Sequence, residues 1–99
     1  MTQLPPFEGK TALHDDDAGL ALQALGWILS DEARAERLLA LTGLAPDELR
    51  ASLSERATLA AILSFLTAHE YDLVACADAL QVPPATIAAA SERLEGMRI

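Results

Sequence analysis

Three things are scarce in this chain, and each scarcity excludes a class of function. Lysine occurs once, at Lys10, and the six arginines are scattered against fifteen acidic residues, for a net charge of −8. Nucleic acid and anionic membrane surfaces are held by clustered Lys and Arg, and no such cluster is present. Cysteine occurs once, at Cys76, so no internal disulfide can form and a reducing, cytoplasmic setting is expected. Aromatic residues make up only 4% of the chain although 52% of it is apolar. The apolar residues are mainly Ala and Leu, which favours helices over a strand-rich core. No uncharged run approaches the ~20 residues a membrane-spanning helix needs.

What is present is helical periodicity. The run Ala57–Ala68 places Leu59, Ile62, Leu63 and Leu66 at i, i+3, i+4 and i+7 and carries no charge. A short helix that is apolar nearly all round belongs at the centre of a bundle. A second uncharged run, Ala18–Leu29, sets Ala21, Ala24, Leu25 and Ile28 on one face. Further helices are expected over 32–42, 46–53, 71–81 and 85–95. Ser30 or Asp31, Ser54 and the acidic run 15–17 are expected to act as N-terminal caps. Gly43 suits a left-handed helix end, and Pro46 suits the first turn of its helix. Residues 1–14, with Pro5, Pro6 and Gly9, read as a tail or strap that lays Leu4 and Phe7 on a single domain spanning 15–99. The N-terminus has neither a basic nor an apolar leader segment and is not expected to be a signal peptide.

Sliding the chain by 38 residues aligns Leu25 with Leu63, Trp27 with Phe65, Leu44 with Val82, Pro46 with Pro84 and Leu49 with Ile87. Polarity, size and turn residues coincide. The expected architecture is therefore all-α: a compact bundle of five to six helices, built as two pseudo-repeated three-helix units at about 20–57 and 58–95.

No catalytic or metal-binding constellation stands out. His14 followed by Asp15, Asp16 and Asp17 puts successive side chains about 100° apart on a helix, which cannot converge on one ion. His69-Glu70 begins like a zincin motif, but Leu73 stands where the second His is required. Cys76, between Ala75 and Ala77, is expected to be buried and inert. Arg34, Arg37 and Arg50 are expected to be solvated and paired with Glu36, Glu48 or Asp47. No cofactor is expected.

The segment Cys76-Ala77-Asp78-Ala79-Leu80-Gln81-Val82-Pro83-Pro84-Ala85-Thr86-Ile87 resembles the helix-turn-helix of bacterial regulators. The resemblance assigns Ala77 to the tight helix contact, Leu80 and Val82 to the turn, and Thr86-Ile87 to the start of a recognition helix. It implies a DNA-binding regulator using 72–95, with Thr86 and Arg93 as the contacting residues. Gln81 departs from the pattern, where Gly is usual. So does the helix that follows, whose one base is Arg93. Residues 58–95 hold five acids and one base, a charge that repels a duplex.

The chain as a whole resembles a family of all-helical proteins of about a hundred residues, of unknown function, found mainly in alphaproteobacteria. The likeness rests on Ala24-Leu25-Gly26-Trp27-Ile28-Leu29, Leu41-Thr42-Gly43-Leu44 with Pro46 and Leu49-Arg50, Phe65-Leu66 with His69-Glu70, and Ala77 with Leu80. It implies a helical fold and a cytoplasmic setting, and transfers no catalytic residue. The expected function is a small non-enzymatic module that binds another protein or a second copy of itself, with Trp27 and Tyr71 as candidate partner-binding residues.

Overall fold

A computed structural model describes the backbone of residues 9–96 and the side chains of residues 16–96. Among the described residues there are six α-helices: α1 (Gly9–Leu29), α2 (Glu32–Thr42), α3 (Pro46–Ala51), α4 (Arg56–Thr67), α5 (Glu70–Leu80) and α6 (Pro84–Gly96). No strand occurs among the described residues. The expected tail contact through Leu4 and Phe7 lies outside them.

α4 is the hub. Seven of its twelve residues are buried, including Leu59, Ile62, Leu63, Phe65 and Leu66, and it packs against α1, α2, α5 and α6, most extensively α6. Ala21, Ala24, Leu25 and Ile28 form the buried face of α1. Leu38, Leu49, Ile87, Ala90 and Leu94 close the core from α2, α3 and α6. α1 packs on α4 next most extensively after α6. No single helix among the described residues is long and apolar enough to cross a membrane, and α4 and α5 are bent by 109° across their junction.

Local chemistry explains most boundaries. The Asp31 carboxylate accepts the Arg34 backbone N–H at 3.0 Å and caps α2, satisfying one of the free donors of the first turn. Gly43 ends that helix at φ 73° and donates its N–H to the Leu39 carbonyl at 2.8 Å. Pro46 opens α3, and the Glu48 carboxylate reaches back to accept the Ala45 N–H at 2.8 Å. His69 precedes α5 in extended conformation, and its Nδ1 lies 3.1 Å from the Phe65 carbonyl.

Two expected caps are corrected. Ser54 does not cap α4: the N-cap is Glu55, which makes no side-chain cap bond. The acidic run 15–17 does not open a helix, because α1 already runs from Gly9. Nothing between Lys10 and Asp17 breaks a helix, so the helical start precedes the acidic run, and Asp17 has another role. Two of the three arginines expected to pair with Glu36, Glu48 or Asp47 have other partners, although Arg37 is exposed as expected. Arg37 crosses to Asp72 on α5 at 2.9 Å, and Arg34 stacks on Trp27. Only Arg50 keeps its expected local partner, Asp47, at 3.5 Å.

Helix starts Glu32 and Glu70 lie 38 residues apart, as do Pro46 and Pro84, and so do the two left-handed residues, Gly43 and Gln81. Packing is less symmetric than these boundaries. α6 has thirteen residues where α3 has six. α1 packs across α4, α5 and α6, whereas α4 packs on α1 and α2 and leaves α3 at the margin.

Candidate functional site

The short length of α3 leaves the first three helices open on one side. Leu25 and Leu29 of α1, Ala35 and Leu39 of α2, Pro46, Leu49 and Arg50 of α3, and the following Leu53 line a groove of about 280 Å³. Leu25 and Leu49 form its floor, at 6% and 5% exposure. Leu29 stands at its mouth, 46% exposed. Arg50 is the one charged side chain in the lining. The groove is therefore an apolar trough with a single polar edge, a form that accepts apolar side chains and offers little for chemistry.

None of the four residues singled out from the sequence lies in it. Trp27 is half-buried beside the core, and the Arg34 guanidinium carbon sits 3.7 Å from its ring centroid. The same guanidinium donates to the Trp27 carbonyl at 2.7 Å and to Ser30 Oγ at 3.0 Å, so Trp27 is clamped by its own chain. Tyr71 projects from the first turn of α5 and is 85% exposed. With Val74 at 48% it makes a small apolar face on α5, and Leu41 of α2 is 61% exposed. Thr86 is exposed on α6. Arg93 reaches across to α1, where its Nε and Nη2 bind the two oxygens of Asp17 at 2.9 and 2.7 Å. That two-pronged geometry is the strongest form of Arg–carboxylate contact. Asp17 is only 3% exposed, and the contact holds the Arg93 pKa above its usual range.

A tight turn joins α5 to α6. Gln81 takes φ 62° and ψ 44°, the left-handed conformation that favours Gly. Its side-chain Nε2 donates to the Asp78 carbonyl at 2.8 Å, and Val82 N–H donates to the Ala77 carbonyl at 3.0 Å, closing the end of α5. Ala77 and Ile87 are buried as the motif requires. The exposed positions of α6 are Pro84, Ala85, Thr86, Glu92, Arg93, Glu95 and Gly96, which include no second base.

Cys76 is fully buried, and burial pushes its thiol up to about 11, partly opposed by the nearby Arg34 charge. A thiol so protonated is a poor nucleophile. Among the described residues, no group of three or more His, Cys, Asp or Glu side chains is arranged to hold a metal ion.

The sequence did not mark the groove residues as a site. The available signal was that α2 carries more Leu than one packed face uses: Leu38 is buried, while Leu39 turns toward the groove.

Neither a curated protein nor a solved structure matches this chain. The profile of one family, described as protein of unknown function (DUF3572), matches residues 14–97. That span takes in all of α2 to α6 and most of α1, and the residues lining the groove between α1, α2 and α3 fall within it. The chain belongs to the DUF3572 family.

Proposed function

We propose that this protein is a non-enzymatic, cytoplasmic interaction module that binds another protein through the groove between α1, α2 and α3. The observation that carries the reading is the groove itself: seven of its eight lining residues are apolar, and water in such a trough is released when a partner's apolar side chains enter. The lone buried thiol of Cys76 fits a reducing compartment. A co-precipitation from nuclease-treated host lysate tests the reading. A partner held by the wild type is lost from Leu29→Asp, which places a charge in the groove, and retained by Leu22→Asp, an equally exposed α1 position outside it. Equal retention by both variants contradicts the reading.

One observation favours a second reading. The α5–α6 segment resembles a helix-turn-helix in sequence and turns through left-handed Gln81, with Thr86 and Arg93 exposed on α6. Against it stand the acidic surround and the engagement of Arg93 by Asp17, since phosphate attraction supplies most non-specific affinity. Fluorescence anisotropy with a generic duplex at low salt separates the readings. Binding that falls steeply with salt and is lost in Thr86→Ala supports the second.

A further inference from the structure

From the groove's shape and surrounding charge we infer that its partner is a basic amphipathic helix; this rests on the interaction reading above. The shape argument begins with α1, which packs on α4, α5 and α6 together and so closes the second trio of helices with a helix. The first trio starts its second and third helices at positions 38 residues earlier. Its corresponding side has no helix across all three members, because α4 reaches α1 and α2 but leaves α3 at the margin. The trough so left is lined by Leu29 of α1, Leu39 of α2 and Leu53 just past α3, above Leu25 and Leu49. Apolar anchors at i, i+3, i+4 and i+7 of an incoming helix fit such a trough.

The charge argument selects the partner. Glu32 and Glu36 each precede a groove residue, Ala35 and Leu39, by three positions on α2, so they flank the trough on that side. Both are exposed, and neither enters an ion pair among the described residues. Asp47, 95% exposed at the side chain, stands on the α3 side beside Arg50. Two unpaired carboxylates thus edge a trough whose one base, Arg50, already has Asp47 as its partner. A second copy of this chain would bring the same acidic edge and a net charge of −8, and like charges brought together oppose association. Lys and Arg flanking the apolar stripe of a different helix complement it.

The test is a titration of the ¹⁵N-labelled protein with two synthetic helical peptides of about fourteen residues, near the length at which isolated helices become stable. Both carry Leu at i, i+3, i+4 and i+7; one has Lys at the remaining positions and the other Glu. The Lys peptide is expected to bind at least tenfold more tightly and to shift amides of α1, α2 and α3 around the groove. Glu32→Gln with Glu36→Gln is expected to weaken it about three- to fivefold, the scale of two exposed ion pairs. The remote pair Asp16→Asn with Glu92→Gln makes the same change in net charge and is expected to leave affinity unchanged. Equal weakening by both pairs, shifts elsewhere, or no shift with either peptide overturns the inference. So does self-association that Leu29→Asp abolishes. A natural partner that needs Leu29 but presents an uncharged segment removes the basic specification and leaves the interaction reading standing.

Discussion

Asp17 and Arg93 face each other across 76 residues of chain, joined by two hydrogen bonds of 2.9 and 2.7 Å that tie α1 to α6. The carboxylate is buried and the guanidinium half-exposed. Removing Arg93 therefore strands a buried charge, whereas removing Asp17 releases a cation to water. Arg93→Ala is expected to lower the melting temperature more than Asp17→Ala does, with Arg93→Lys between Arg93→Ala and wild type because Lys lacks the fork. Thermal unfolding followed by circular dichroism checks the order. Arg93→Ala and Asp17→Ala losses of equal size would contradict it.

Gln81 holds a left-handed conformation that costs a side chain roughly 1 kcal/mol. Gln81→Gly is expected to raise stability by up to about 1 kcal/mol, reduced by loss of the Nε2 bond to Asp78. Gly43→Ala, at φ 73°, is expected to lower it by about 1 kcal/mol. Urea unfolding midpoints at constant slope measure both.

Core and surface aromatics are expected to separate cleanly. Phe65, 1% exposed on the hub helix, loses about 3–5 kcal/mol on Phe65→Ala, a large part of the 5–15 kcal/mol available to a domain. Tyr71→Ala, at 85% exposure, stays within about 0.5 kcal/mol of wild type. A large destabilisation by Tyr71→Ala in the same urea experiment would mean that α5 packs differently.

Cys76 makes stability fall at high pH. Its folded thiol is raised to about 11 from an ordinary value of 9.0, so the unfolded chain loses its proton first. The contribution is complete below pH 9 and is lost between about pH 9 and 11. A shift of this size is worth on the order of 2–3 kcal/mol. Cys76→Ala is expected to flatten the decline in stability over that window. A parallel decline in the variant would show that other groups cause it. Alkylation of the native thiol at pH 8 is expected to proceed only as fast as the protein opens.

Much of the fold was legible because its causes are local. Asp31, Gly43 and Pro46 sit where caps and turns need them, and the i, i+3, i+4, i+7 spacing in α4 identifies the hub. Ser54 misled because a capping residue type one position early offers the same sequence signal as one in place. The start of α1 was missed because the acidic run looked like a cap. Its buried member, Asp17, instead answers Arg93, 76 positions away. Arg37 and Asp72 were missed for the same reason: a partner on another helix leaves no mark in local spacing. The groove was the least legible feature. Its residues read as ordinary core leucines, and no local spacing marks that α3 stops at Ala51 where α6 continues for two further turns.

The central claim is that a partner occupies the groove between α1, α2 and α3. Hydrogen exchange on the captured complex, compared with the free protein, tests it most directly. The expected result is slowed exchange in the last turns of α1, in α2 and through Leu53, with α6 unchanged. Protection confined to α5 and α6 would contradict the claim and return attention to the helix-turn-helix.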